Sequence, residues 1–143
     1  MTRIDFYILS SDQPLQADIF ACRLAEKAYR TGLRVLLAVD NPERTGQIDQ
    51  LLWTFREDSF LPHAPQSEGQ QAAIEINSGE DPGAHHGLLI NLCSKVPSWF
   101  SRFDRLAEIV VQQPDALQRS RSRFGHFRDR GYPLQSHKIN QNM

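Results

Sequence analysis

The sequence is poor in the features that mark secreted or membrane proteins. Its two cysteines, Cys22 and Cys93, lie far apart among apolar neighbours, which predicts buried reduced thiols rather than a disulfide or a reactive thiol. No apolar run reaches the roughly 18 residues that a membrane-spanning helix requires. Asp5 and Asp12 interrupt the segment where a signal peptide would need its apolar core. We therefore expect a cytoplasmic protein without a membrane segment.

A phosphate-binding loop is also missing. The segment 10–14, which follows the first predicted strand, contains no glycine, and neither G-x-G-x-x-G nor G-x-x-x-x-G-K-[ST] occurs anywhere. Without glycine the backbone cannot easily approach a phosphate, which argues against nucleotide binding at this loop. The alternative from another functional class is a nucleotide- or small-molecule-binding α/β domain. Such a domain would be recognised by a phosphate-binding loop after a strand, and this sequence lacks that loop.

Metal and catalytic motifs are equally scarce. His85 and His86 are adjacent in a Gly/Asp-rich segment beside Asp81, but adjacent residues rarely both reach one ion. No Cys/His pair has zinc spacing, so we expect a solvated loop here, no metal and no cofactor. No nucleophile elbow or carboxylate dyad is present, and no catalytic residue is predicted.

Charge is distributed unevenly along the chain. Residues 1–118 carry 10 Lys/Arg against 16 Asp/Glu, whereas residues 119–143 carry 6 against 1. An acidic body with a basic C-terminal segment suggests a localised anionic partner, either a peptide or a nucleic-acid backbone. The length and the 40 % apolar content predict one domain over residues 1–134, followed by a polar tail over 135–143.

The apolar pattern predicts an α/β fold. An apolar run over residues 4–9, a helical stripe over 17–28 and a second apolar run over 35–39 form a strand–helix–strand unit with a parallel pair. A second helix is expected over 42–55, with Asn41 as its N-cap. Further strands are expected at 74–76, 88–92 and 106–111, and a last helix at 114–130, ended by Gly131. We expect a three-layer open, mostly parallel twisted sheet with helices on both faces.

Trp53 does not fit the apolar stripe of its own helix. On a helical wheel it lies roughly 140° from the centre of that stripe, at about 100° per residue. A large aromatic off the core face either covers a neighbouring loop or anchors a partner. Phe60 is a candidate second anchor nearby, with burial in the core as the alternative. The stripe itself consists of Ile48, Leu51, Leu52 and Phe55.

The last helix carries an arginine-flanked aromatic. Arg121, Phe124 and Arg128 fall at i, i+3 and i+7, which places them on one helical face. Such a face suits a short ligand with an apolar side chain and a carboxylate, because arginine pairs with carboxylates bidentately. The alternatives are a solvated basic face, with Phe124 and above all Phe127 in the core, or direct binding of single-stranded DNA.

Three blocks of the sequence resemble the chi-subunit family of bacterial DNA polymerase III. They are Phe6-Tyr7-Ile8-Leu9, the Trp53-x6-Phe60-x-Pro62-His63 block, and Arg121-x-Arg123-Phe124-x-x-Phe127-Arg128-x-x-Gly131-Tyr132. The order and spacing of elements are similar over essentially the whole chain. The family is similar in fold to mononucleotide-binding α/β domains but lacks their phosphate loop, in agreement with the glycine-free turn.

The resemblance implies a non-catalytic adaptor of the clamp-loader complex with two binding surfaces. The family's psi-binding Trp and Phe match Trp53 and Phe60, and an accessory helicase is thought to compete for that surface. A second surface receives the acidic C-terminal tail of the single-stranded-DNA-binding protein, which ends in Pro-Phe. Its basic and aromatic residues match Arg121 and Phe124. DNA itself would be contacted only indirectly.

Gly125 departs from this family pattern. Better-known members carry a lysine at the matching position, so the charge of the tail site is reduced here. Either Arg128 or Arg123 supplies the missing charge, or the affinity for the tail is lower. A glycine inside a helix also costs about 1 kcal/mol relative to alanine.

Overall fold

The computed structural model describes residues 1–58, 60–68 and 72–140. These residues form seven strands, three α-helices and two short 3-10 turns. The strands are β1 (Arg3–Leu9), β2 (Val35–Ala38), β3 (His63–Pro65), β4 (Ile74–Asn77), β5 (Leu88–Asn91), β6 (Arg105–Val110) and β7 (Leu134–Ile139). The helices are α1 (Pro14–Arg30), α2 (Pro42–Thr54) and α3 (Pro114–Asp129).

All seven described strands belong to one open sheet in the order β3-β4-β2-β5-β6-β1-β7. Every strand pair recorded in it is parallel. Parallel strands are buried by crossover helices, which is why β2, β4 and β5 are buried along their whole length. The expected open α/β sheet is confirmed.

Helices cover both faces of the sheet. On one face α1 and α2 pack through Ala21, Ala25, Ile48 and Leu52 against the strands. On the other face α3 packs through Phe127, together with the segment that contains Phe103. The alternation of side chains along each strand separates these two cores, and the result is the expected three-layer arrangement.

The helix ends follow the expected local chemistry. Asn41 caps α2, because its side-chain oxygen accepts a hydrogen bond from the backbone N–H of Arg44 at 2.9 Å. Gly131 has a φ of 81° after α3, a left-handed conformation that glycine adopts without steric cost. None of the described helices is long and apolar enough to cross a bilayer.

Two expectations are wrong. Residues 135–139 of the expected polar tail belong to β7, which pairs with β1 along its length; residues 141–143 lie outside the described residues. His85 is not solvated, because its side chain is 1 % exposed and its Nε2 lies 2.8 Å from Glu75. Burial lowers the pKa of His85, and the negative charge of Glu75 partly offsets this decrease.

The two cysteines are free thiols, as expected. Cys22 is buried and Cys93 is half-buried. Burial raises the pKa of each to about 12. Because the thiolate is the reactive form, both side chains are poor nucleophiles at neutral pH.

Candidate protein-binding surfaces

A groove of about 330 Å³ runs between α3 and the end of the sheet formed by β1 and β7. We refer to it as the α3 groove. Its lining consists of Phe6 and Ile8 from β1, Ser136 from β7, and Ser120, Arg121, Phe124, Gly125 and Arg128 from α3. Three of the four residues expected in a tail-binding site therefore lie in one cavity.

Phe124 and Phe127 occupy different environments. Phe127 is 1 % exposed in the core and contacts the ring of Phe100 at 5.3 Å. Phe124 is half-buried, and its ring centroid lies 5.5 Å from that of Phe6. Phe127 is thus the core residue of the two. Phe124 keeps one side open and forms an apolar floor for the α3 groove.

The rim of the α3 groove is basic. Arg121 and Arg128 are exposed on either side of Phe124. Arg128 lies 3.5 Å from Asp129, but both side chains are more than half exposed, and such pairs contribute little. Within the described parts of the chain no carboxylate lines the groove. Both guanidinium groups are accordingly positioned to receive an external anion.

Arg123 lies on the other flank of α3, away from the groove. Its Nη1 is 3.1 Å from Glu108, and its Nη2 donates to the carbonyls of Cys93 and Ser94. Only 18 % of the side chain is exposed. The structure therefore does not bring Arg123 to the expected tail site, because this guanidinium already pairs with a buried carboxylate.

Glu108 is the acid that holds Arg123 in place. Its side chain is 3 % exposed and also accepts a hydrogen bond from the Asn91 amide at 3.0 Å. Burial raises the pKa of Glu108 to about 7, against the opposing effects of Arg123 and Asn91. This network connects α3 to the carboxyl ends of β5 and β6 and fixes the helix on the sheet.

Gly125 faces the α3 groove from the middle of the helix. A Cβ built at this position would meet only the Nη2 of Arg128, at 3.7 Å, which is ordinary van der Waals contact. Nothing described in the structure therefore requires a glycine here. Of the two arginines named as substitutes for the family's lysine, Arg128 is the one beside this position.

Trp53 and Phe60 are exposed apolar side chains near the β3 edge of the sheet. Trp53 is 52 % exposed and Phe60 is 85 % exposed. The indole ring rests 4.5 Å from the ring of His63, whose side chain is fully buried. His63 donates from Nδ1 to the carbonyl of Leu61 at 2.8 Å. One side of the Trp53 indole therefore packs against His63, and the rest of the side chain is exposed.

Two spaces adjoin the first loop. The one beside Ser10 and Ser11 is about 30 Å³, and the one lined by Pro14 at the start of α1 is about 190 Å³. Among the described residues no three His, Cys, Asp or Glu side chains converge as metal ligands.

Phe6, Ile8 and Ser136 line the groove, although the sequence pattern predicted none of them as a site residue. The period of two along β1 was a usable signal for the first two, since Phe6 and Ile8 must share a face. Ser136 had no such signal, because the mostly polar sequence of residues 135–139 predicts a tail and not a strand.

Comparison with known proteins identifies relatives over almost the whole chain. The family described as DNA polymerase III chi subunit, HolC, matches residues 1–135. The DNA polymerase III subunit chi of Pseudomonas aeruginosa is 42 % identical over 139 residues, covering 97 % of this chain and 98 % of the relative. The Escherichia coli subunit chi is 26 % identical over 141 residues, with 94 % and 96 % covered.

Among solved structures, the crystal structure of T4 UvsW is similar in fold. The TM-score is 0.67 at 9 % sequence identity, and the likeness covers 97 % of this chain but only 42 % of the UvsW chain. At this identity the likeness concerns the fold alone. The family match and the chi relatives together cover the sheet, both helical layers and both surfaces described above. The chain therefore belongs to the chi-subunit family of DNA polymerase III and has an accessory role in DNA replication.

Proposed function

We propose that the chain is a non-catalytic, cytoplasmic adaptor of the clamp-loader complex. It links that complex, through psi, to the C-terminal tail of the single-stranded-DNA-binding protein. The observation that carries the proposal is the α3 groove, which combines an apolar floor with a basic rim and no lining carboxylate among the described residues.

The chemistry of the α3 groove suits a peptide that ends in an aromatic residue. Phe6, Ile8 and Phe124 offer apolar contacts to a terminal phenylalanine ring. Arg121 and Arg128 are positioned for its free carboxylate and for acidic residues just before it, since guanidinium groups pair bidentately with carboxylates. Capture of a C-terminal carboxylate by basic groups is an established mode of peptide recognition.

A binding titration with a synthetic acidic peptide ending in Pro-Phe tests this site. Arg121→Ala should weaken binding by roughly 1–3 kcal/mol, the range for hydrogen bonds to charged groups. Arg119→Ala is the matched control, because Arg119 is exposed on the same helix but lines the crevice near Glu108. Amidating the C-terminus of the peptide should weaken binding to the wild type as well. Binding that is indifferent to both changes would overturn the site.

Trp53 and Phe60 form the proposed psi-binding surface. Two large aromatic side chains exposed near one sheet edge are costly to leave in water and typical of interface anchors. The buried His63 beneath Trp53 limits the rotation of the indole, so little entropy is lost when a partner covers it. An accessory helicase would compete with psi for the same two side chains.

Trp53→Ala should abolish co-purification of psi while the protein stays folded. The indole is half exposed, so its removal creates no closed cavity, and the melting temperature should change little. Leu15→Ala is a matched control, since Leu15 is an exposed apolar residue of α1. Unfolding of the Trp53 variant, or undiminished psi binding, would contradict the assignment.

Direct binding of single-stranded DNA is the competing function for α3. Stacking platforms present open aromatic faces to successive bases. The aromatic lining of the groove consists of Phe6, which is buried, and Phe124, which is half-buried against it. An oligonucleotide should therefore bind the isolated protein far more weakly than the peptide does, and tight oligonucleotide binding lost with Arg121→Ala would favour the DNA-binding function.

A further inference from the structure

β7 occupies one edge of the described sheet and pairs only with β1. Its residues alternate between the two faces. Leu134 packs in the core on the α3 side, whereas Ile139 packs in the cluster with Leu9 on the α1 side. Because side chains along a strand alternate, Leu134, Ser136 and Lys138 share the α3 side.

The register with β1 places Lys138 beside the α3 groove. Phe6 is paired with Ser136, and Ile8 is paired with Lys138. Phe6, Ile8 and Ser136 all line the groove. Lys138 is exposed and follows Ser136 by two residues on the same face. The register therefore places Lys138 next to the end of the groove that Ile8 forms, just beyond the residues that line it.

β7 is held in this register by contacts on its opposite face. His137 Nε2 lies 2.9 Å from Oδ1 of the buried Asp5. The imidazole ring also stacks on Tyr7, with 4.9 Å between the ring centroids and an interplanar angle of 17°. These contacts flank Lys138 in sequence and fix the backbone from which its side chain extends.

The exposed charges around the groove are mainly positive. Arg121 and Arg128 on α3 line the groove, and Lys138 on β7 follows the lining residue Ser136 on the same face. An acidic side chain, that of Asp129, lies 3.5 Å from Arg128. With Gly125 in the middle of α3, Lys138 on the neighbouring strand is a third cation close to this groove.

We propose that the α3 groove continues onto β7, where Lys138 binds the acidic residues that precede the C-terminal residue of a bound peptide. This rests on the proposed function of the groove and names a further residue in it. The terminal aromatic ring and carboxylate lie between Phe124 and Arg121, and the upstream carboxylates follow β7 towards Lys138. The occupant is an acidic peptide with a free C-terminus.

Isothermal titration with two peptides tests the proposal. One peptide carries acidic residues before Pro-Phe, and the other carries their amides. Lys138→Ala should weaken binding of the acidic peptide about twofold to fivefold, as expected for an exposed ion pair of up to 1 kcal/mol. It should leave the amide peptide unchanged, and Lys138→Glu should weaken the acidic peptide further. Lys27→Ala, which removes an exposed lysine of α1 on the other face, is the matched control.

Failure of the inference and failure of the proposed function give different results. If the wild type binds and Arg121→Ala weakens binding, but Lys138→Ala behaves like Lys27→Ala, the groove is right and the contact on β7 is wrong. If Lys138→Ala weakens both peptides equally, the lysine does not recognise the upstream acids and the proposal is overturned. If the wild type binds neither peptide, the proposed function itself fails.

Discussion

At the scale of single residues, Gly125 has the lowest helix propensity in the interior of α3. Glycine loses more conformational freedom on folding than other residues, and the structure shows no close neighbour that excludes a side chain there. The position also faces the α3 groove. A Cβ at position 125 therefore meets no backbone atom outside its own helix, and a side chain built on it would extend towards the groove.

Gly125→Lys should raise both stability and peptide affinity. We expect the free energy of unfolding to increase by up to about 1 kcal/mol from helix propensity. The acidic peptide should bind more tightly, with a steeper salt dependence, because a cation is added to the groove. Gly125→Gln is the matched control, since it should give the stability gain without the affinity gain. Equal affinities for the two variants in titrations at low and high salt would contradict the electrostatic explanation.

Glu108 gives a second prediction at this scale. Its folded-state pKa of about 7 lies above the ordinary value of 4.5, so between these pH values the folded protein holds a proton that the unfolded chain releases. The stability that Glu108 contributes should therefore fall as pH rises from about 4.5 to about 7. The loss is on the order of 3 kcal/mol.

Urea denaturation of the wild type and of Glu108→Gln over this pH range measures the effect. The difference in unfolding free energy between them should shift in favour of the variant as pH rises. Glu57→Gln, at an exposed position, is the matched control for the substitution itself. A pH-independent difference for Glu108→Gln would mean that the carboxyl stays ionised beside Arg123 throughout.

At the scale of elements, the apolar inner strands and the helices were predictable from the sequence, whereas the two edge strands were not. A continuous apolar run marks each of the strands β1, β2, β5 and β6 in the sequence. Asn41 marks the start of α2, and Gly131 marks the end of α3. β3 is only three residues long and contains Pro65, so it resembles a turn in sequence. β7 is mostly polar, and its position depends on Asp5, which lies more than a hundred residues away.

The residues of the candidate site were also predictable only in part. A helical face brings Arg121, Phe124 and Arg128 together, and the periodicity alone gave that result. The position of the Arg123 guanidinium depends on Glu108, a buried acid in β6. The local sequence around Arg123 does not predict this pairing. The contribution of β7 to the groove could not be predicted for the same reason.

His137→Ala tests whether β7 is part of the binding element. The change removes the contact with Asp5 and the stacking on Tyr7. We expect a loss of about 1–3 kcal/mol in stability, the cost of leaving a buried polar group with fewer partners. Peptide affinity should fall too, although His137 faces away from the groove. His86→Ala, at an exposed loop position, is the control. Unchanged hydrogen exchange in β7 of the His137 variant would contradict this expectation.

At the scale of the whole molecule, the two proposed surfaces lie at opposite edges of the sheet. Trp53 stands over β3, and the α3 groove lies beside β7. Six strand spacings separate these edges in the sheet order, or roughly 29 Å at about 4.8 Å per spacing. Neither surface shares a described residue with the other.

Psi and the acidic peptide should therefore bind together and independently. The peptide's dissociation constant should agree within about twofold with and without saturating psi, since distant sites add nearly without coupling. Trp53→Ala should leave peptide binding unchanged, and Arg121→Ala should leave psi binding unchanged. A large change in either cross-measurement would reveal coupling through the sheet.

The position of β1 in the sheet also constrains the order in which the protein is completed during synthesis. Its neighbours are β6 and β7, and Ile4 pairs with Leu106 and Leu134. A ribosome adding about 5–20 residues per second takes roughly 5–20 s to make the intervening hundred residues. Throughout that time Ile4 and Phe6, both buried in the finished protein, have no strand to pair with. The apolar segment of β1 thus stays without its native partner strands until β6 has been made, and it is exposed to other apolar surfaces during that time.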